Sequence, residues 1–436
     1  MKNKIYIKYL LLLGLIAAII PFNSCKDVNE NGGGNSAAPV IKAVYLEDAQ
    51  SSVPDRKVDF ARLGQTIRLE GESFLGVSKL FVNGYEILFN PALMTNTSMW
   101  FQISGKVPTI DALEDVRNTI RLEKGSQSCV YDFEIRAAAP AITSISHTMP
   151  QAGDRITVYG TGLQEISSVT FPGNVVVTDG IVSDDETGKF FEVTVPSGVS
   201  DDGGSIYAVS SNGGVYSPAC FNYKKGLLHN FDDVQNYSWG SGVDNTALTA
   251  VIPATGTGPK SQGGYQVFNS SGSLAGGTDQ RFWLNSTNVM AIMGNIPPST
   301  SADECGIQMD IYVDGAWNSG LIRFATADGY GETKYAMLYY PNSPGAYDPS
   351  AFVNPGAWFT ITLPFGSSND FSGKTLADVI TQMSAASYKQ CGPWLDNTNR
   401  KGEDLFTPAP ATEKVYFDNI RVVPLTKPAY TDFPDE

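Results

Sequence analysis

A chain of 436 residues is long enough for two to four domains, each with its own core. Its formal net charge of -15 argues against nucleic acid or anionic lipid surfaces as partners, and disfavours polyanionic ligands. With 43 Gly, 25 Pro, 11% aromatic and only 17% charged residues, the composition suits a turn-rich, β-rich extracellular protein rather than a disordered one.

The chain opens with a basic patch (Lys2, Lys4, Lys8) and a short apolar run from Tyr9 to Phe22, closed by Asn23-Ser24-Cys25. The run is short for a membrane span and reads as a signal peptide over residues 1–24. A cysteine directly after an apolar run and a small Ser24 resembles a bacterial lipobox; the alternative is a plain secretory signal. On the first reading Cys25 is lipidated and anchors the mature protein, since several acyl chains give stable attachment. Lys26-Asp27-Val28-Asn29-Glu30 resembles the export tag of Bacteroidetes surface lipoproteins. Residues 25–38, rich in Gly, Asn and Ser, read as a flexible linker.

A repeat follows. Gly64, Ile67, Leu69, Gly71 and Phe74 recur as Gly153, Ile156, Val158, Gly160 and Leu163, and Leu80 and Gly84 as Val169 and Gly173. Each copy opens on a Pro-x-Ile strand (Pro39-Val40-Ile41; Pro140-Ala141-Ile142). Ile67 and Leu69 alternate with polar residues and so share one face of a strand, and Gly71 and Gly160 are read as permitting the turn that follows. Short alternating strands at this spacing predict two small β-sandwiches, 39–137 and 138–224. The pattern resembles the IPT/TIG immunoglobulin-like domain. Trp100, where the second copy has Phe190, is read as core.

From about Lys225 the pattern changes to many short strands between Gly, Pro, Asn and Ser clusters, with one helical stretch at Leu376 to Met383. Residues 225–436 are read as one larger jelly-roll β-sandwich, making the whole chain all-β. Five of the six tryptophans fall here: Trp239, Trp283, Trp317, Trp358 and Trp394. An outward-facing indole is well suited to hold the apolar face of a sugar ring. In Arg281-Phe282-Trp283-Leu284-Asn285, Phe282 and Leu284 share the core face, which puts Trp283 on the opposite face between Arg281 and Asn285. Trp317 lies in a loop flanked by Gly315 and Gly320, where nothing local buries it; packing on the sandwich rim is the alternative. Trp394 is open to either role, Tyr339 or Tyr340 must face outward if they lie on a strand, and Trp239 and Trp358 are read as packing. The candidate glycan-contacting set is therefore Trp283, Trp317, Trp394, Tyr339, Arg281 and Asn285.

Catalytic chemistry finds little support. His147 and His229 are the only histidines, and neither sits near a nucleophile elbow. No paired acidic strand of the kind used by jelly-roll glucanases and no phosphate-binding Gly loop is present. Cys129, Cys220, Cys305 and Cys391 form no CxxC, and with two histidines a zinc site is not expected; Cys305 and Cys391 either pair or stay as buried thiols. Asp232, Asp233 and Asp418, on the first and last strands of the large domain, offer oxygen ligands for a structural Ca²⁺, or serve as turn and cap residues. No cofactor is otherwise expected.

The lipobox, linker, tandem IPT/TIG-like units and a final domain ending in Tyr416-Phe417-Asp418-Asn419-Ile420-Arg421-Val422-Val423-Pro424 together resemble the surface glycan-binding lipoproteins of Bacteroidetes polysaccharide-utilisation systems. Supporting stretches are Phe231-Asp232-Asp233, Met309 to Trp317 and Pro355 to Pro364. That resemblance implies a non-catalytic, cell-surface, outer-membrane protein that captures a β-glucan- or hemicellulose-type polysaccharide on aromatics of its last domain. It also implies partnership with an outer-membrane transporter and a second glycan-capturing lipoprotein. Ala316 stands where a second aromatic beside Trp317 would widen a platform, so xyloglucan itself is not assumed. The alternative reading is a surface adhesin or structural protein whose last domain binds a protein; a hydrolase with unrecognised acids is a third.

Overall fold

In a computed structural model of the chain, residues 37–241, 263–326, 336–341, 347–387, 389–398 and 405–434 are described. The expected signal peptide, Cys25 and nearly all of the linker lie outside them.

The first repeat folds as two facing four-stranded sheets. One runs Asp55–Val58, Val40–Glu47, Thr66–Glu72, Ser98–Gln102, and the other Tyr85–Ile87, Lys79–Val82, Thr119–Lys124, Gln127–Asp132. The second repeat is also two facing four-stranded sheets, but the short edge strand of its first sheet pairs at the opposite edge. Ala141–Ile145, Arg155–Thr161, Phe190–Thr194 and Val182–Ser183 face Val175–Val177, Ser168–Phe171, Tyr207–Ser210 and Gly213–Tyr216. Ile67, Leu69, Phe74 and their counterparts Ile156, Val158 and Leu163 are all buried between the sheets, as the period-two pattern requires.

Two expectations change here. Gly71 and Gly160 do not serve a turn. A Cβ on either would lie 1.9 Å from the carbonyl oxygen of Val40 or Ala141, where the paired strand shifts register. Both glycines are thus demanded by close backbone approach at a β-bulge. Trp100 is not core: Met99 and Phe101 take the buried face, and Trp100 lies half-buried on the other, its Nε1 donating to Glu47 at 2.9 Å.

The last domain is a sandwich of two antiparallel sheets. Its strands are β1 (Leu227–His229), β2 (Tyr237–Ser241), β3 (Gln266–Phe268), β4 (Thr278–Asn285), β5 (Cys305–Asp314), β6 (Leu321–Thr326), β7 (Ala336–Tyr339), β8 (Phe359–Pro364), β9 (Gln390–Asn397) and β10 (Lys414–Pro424). One sheet has the order β1-β10-β5-β8, with β3 also paired to β10; the other has the order β2-β4-β9-β6-β7. Between them lies one apolar core that includes Phe231, Phe268, Phe282, Leu284, Met309, Ile311, Phe324, Leu395 and Phe417. Two helices pack at one end: α1 (Ser286–Met293) and α2 (Leu376–Ala385), the latter opened by a Thr375/Asp378 capping box. Cys305 and Cys391 are separate buried free thiols.

The second repeat docks on the outer face of the first sheet through a buried polar network. Arg421 donates to Asp310 at 2.9 Å and to the Thr148 hydroxyl at 2.7 Å. Thr148 in turn donates to Gln308 at 2.8 Å, and the Thr360 amide donates to the Ser146 carbonyl at 2.8 Å. Asp310 and Asp418 share this network. Burial alone would raise Asp310, but Arg421 and His147 pull it well below the usual carboxylate range. Burial, and then the Asp310 charge, push Asp418 up to about 8. One carboxylate is therefore ionised and its neighbour protonated at neutral pH.

Candidate functional site

The second sheet of the last domain turns its inner face to the core and carries charged and aromatic side chains on its outer face. Register sets them in rows across β4, β9 and β6. Asp279 lies opposite Asp396; Arg281 lies opposite Trp394, which lies opposite Arg323; Ala325 lies opposite Gly392. Trp283 stands two residues beyond Arg281 on the same face, with Phe282 and Leu284 in the core on either side.

The rows are knitted by short contacts. Trp283 and Trp394 meet edge to face with ring centroids 5.0 Å apart, and with Ala325 they form an apolar cluster separate from the main core. The Arg281 guanidinium lies 4.5 Å from the centre of the Trp394 ring and grips Asp279 in a two-pronged pair at 2.6 and 2.7 Å. Arg323 Nε donates to Asp396 at 2.7 Å, and both residues are almost wholly buried. A sandwich does not need such a face for its own core; ionic pairs and indole edges are groups that hydroxyl-rich ligands engage.

Strand alternation thus places Trp283, Arg281 and Trp394 together, but the expected exposure of Trp283 does not hold. It is 3% exposed and Trp394 0%, and each indole packs against the other. Trp317 belongs to the main core rather than to any platform. It is 3% exposed, its Nε1 donates to the Gly320 carbonyl at 2.9 Å, and its ring rests against Phe352 and Tyr339 at 5.5 and 6.1 Å. Tyr339 packs on that core too, and burial pushes its hydroxyl pKa up to about 12. Asn285 is exposed, but its side chain caps α1, accepting from the Thr287 amide at 3.0 Å. The unforeseen helix therefore takes Asn285 out of the platform. Trp239 stands opposite Trp283 in register, and its side chain lies outside the described residues.

Reading the tryptophans singly misses a second aromatic group. On the outer face of the first sheet, Tyr265, Tyr416, Tyr312 and Trp358 form a closed quartet with successive centroids 5.6, 5.9, 6.1 and 6.2 Å apart. All four rings are half-buried. The sequence signal was the parity of Tyr312 opposite Ile311 and Val313, which puts it outward.

Neither histidine is placed for acid–base work. His229 is fully buried, accepts from the Asn236 amide at 3.0 Å, and is pushed down to about 4 by burial; His147 sits 3.3 Å from Asp310 at the domain junction. Asp232 accepts from the Gly264 amide at 2.7 Å and Asp233 from Asn230 at 2.7 Å, both as turn residues. Among the described residues, no three His, Cys, Asp or Glu side chains converge as a metal site.

Comparison with known proteins agrees with this architecture. A relative from Bacteroides ovatus, an IPT/TIG domain-containing protein, is 27% identical over 172 residues, covering 39% of this chain and 34% of its own length. The chain thus spans about a third of that curated relative. The solved structure of surface glycan-binding protein PbSGBP-B from Prevotella bryantii superposes with a TM-score of 0.62 at 17% identity, over 90% of this chain and all of that one, and so shares its fold. Residues 221–424 match the family described as the surface glycan-binding protein B xyloglucan binding domain. The matched stretch is the last domain of this chain, the one that carries the charged and aromatic sheet face.

Proposed function

We propose that this protein is a non-catalytic polysaccharide-binding lipoprotein of the bacterial cell surface, anchored through Cys25 to the outer membrane. It captures a neutral β-glucan- or hemicellulose-type chain for a polysaccharide-utilisation system, beside an outer-membrane transporter and a partner glycan-binding lipoprotein. The observation that carries the reading is the Trp283–Trp394 pair framed by Arg281–Asp279 and Arg323–Asp396, on the non-core face of a domain that matches a glycan-binding family.

Indole faces hold the apolar faces of sugar rings, and the flanking ion pairs supply donors and acceptors for hydroxyls. Each stacked contact contributes roughly 0.5–1.5 kcal/mol beyond burial. Single-site affinity is accordingly modest, and many anchored copies on one polymer gain by avidity. Both indoles are buried in the free chain, so stacking on them requires that they become accessible. The engagement of both histidines in structural contacts supports a binding rather than a catalytic role.

Affinity electrophoresis against soluble xyloglucan, mixed-linkage glucan, mannan and xylan tests the reading. Retardation by at least one glycan, lost in Trp283→Ala or Trp394→Ala and retained in Trp317→Ala, is expected. A second placement is favoured by accessibility: the Tyr265–Tyr312–Trp358–Tyr416 quartet already shows its rings to solvent. Loss of retardation in Trp358→Ala alone would move the site there. Failure of every glycan to bind favours the adhesin alternative, and release of reducing sugar by the purified protein overturns the non-catalytic reading. Labelling with a radioactive fatty acid, abolished by Cys25→Ala, tests the anchor.

A further inference from the structure

The matched family domain ends at residue 424, yet the chain continues, and residues 425–434 turn back along both immunoglobulin-like domains. The Ala219 amide donates to the Thr426 carbonyl at 2.9 Å, and Lys427 Nζ donates to the Ile142 carbonyl, so the segment is tied to the second repeat. Tyr430 lies against Tyr207, centroids 6.3 Å apart. Asp432 then reaches the first repeat, where Arg62 donates to both of its carboxylate oxygens at 2.7 Å. Phe433 stacks on Phe60, centroids 5.5 Å apart and planes 13° off parallel, with the Arg56 guanidinium 4.9 Å from the Phe433 ring.

The receiving surface is built for this. Arg62 is 9% exposed and spends its remaining donors on the carbonyls of Ala137, in the connection between repeats, and Asn212, in the second repeat. One side chain thereby joins the first repeat, the second repeat and the returning segment. Gly213 and Gly214 leave the room: a Cβ on Gly214 would lie 2.5 Å from the Tyr430 ring, and one on Gly213 would lie 3.0 Å from Arg62. The Arg136 guanidinium, paired with Glu134 at 2.8 and 3.0 Å, lies 3.6 Å from the centre of the Phe60 ring and backs the face on which Phe433 stacks.

We infer that the two immunoglobulin-like domains carry a binding groove for an acidic–aromatic peptide segment, and that its occupant is this chain's own Thr426–Phe433. The groove is lined by Arg56, Phe60, Arg62, Tyr207 and Gly214. Occupied in cis, it straps the first and last domains to the middle one, so that the glycan-binding domain is held at a set angle on a stiff rod. The inference is independent of where on the last domain a glycan binds.

The test uses the full chain and a version ending at Leu425. X-ray scattering is expected to show a larger radius of gyration for the shortened chain. Protease cleavage in the 137–140 connection should run at least about tenfold faster, since it follows the population of the opened state. A synthetic peptide of residues 426–434 should bind the shortened chain one to one and restore the scattering of the full chain. Arg62→Gln in the shortened chain should weaken that peptide at least about tenfold, as loss of both charged bonds to Asp432 predicts. If shortening harms folding, full-length Asp432→Asn/Phe433→Ala is read by the same scattering and proteolysis. Unchanged scattering and cleavage in the altered chains, or no binding of the peptide, overturns the inference.

Discussion

Trp283 and Trp394 meet edge to face, centroids 5.0 Å apart, on the side of their sheet turned away from the core. Each stabilises the other, and together they are the apolar centre of an otherwise ionic sheet face. Replacing either by Ala should cost about 3–5 kcal/mol of stability. A double-mutant cycle should recover a coupling of about 0.5–1.5 kcal/mol, measured by urea unfolding. Zero coupling would mean that the contact is incidental.

Trp317 offers the contrasting case. Its ring is part of the main core and its Nε1 is satisfied by Gly320. Trp317→Ala should lower stability by about 3–5 kcal/mol and leave glycan retention of the folded fraction unchanged. Loss of retention without loss of stability would place Trp317 in the binding surface after all.

The Arg323–Asp396 pair is buried on both sides. Removing one side of the buried pair in Asp396→Ala should cost about 3–5 kcal/mol, whereas Arg323→Met/Asp396→Leu together should cost less than Asp396→Ala. Thermal and urea unfolding of the single and double variants check the order. If the double variant is the less stable, the pair contributes more than its desolvation cost.

The dependence of stability on pH follows from two buried groups with opposite signs. His229 is depressed to about 4, so between about pH 4 and 6.5 the unfolded chain takes a proton that the folded chain refuses, and stability falls as pH falls. Asp418 is raised to about 8, so from about pH 4 to 8 the unfolded chain loses a proton that the folded chain keeps, and stability falls as pH rises. Near pH 5 to 6 the two slopes oppose each other and largely cancel; from about pH 6.5 to 8 only Asp418 of the two still titrates, and its contribution should drop by about 1 kcal/mol per unit. In Asp418→Asn that upper drop should vanish and the rise from pH 4 to 6.5 should appear. Urea unfolding across this range measures both, and an unchanged upper slope in the variant would remove Asp418 as its source.

The fold was largely legible from local pattern. The 89-residue offset between Gly64 and Gly153 marked the two repeats, and alternation at Ile67 and Leu69 named their core. The face of each residue along β4 followed from period two, since a strand sends neighbouring side chains to opposite sides whatever lies beyond them. The helix α1 was missed, because Asn285 reads as the end of an alternating strand until the chain beyond it turns and needs a cap.

What the amino-acid order determined by itself was therefore direction: Trp283 away from the core, Arg281 beside it, Tyr312 outward. What only the tertiary structure decided was company and exposure. Trp394 arrives beside Trp283 from a strand more than a hundred residues later, Phe352 and Tyr339 close over Trp317, and Asp432 finds Arg62 from the far end of the chain. Side-chain direction is set by backbone geometry over a few residues, whereas solvent access is set by whatever distant segments pack on top. A tryptophan count alone could locate a domain rich in rings, but not say which of them a ligand can reach.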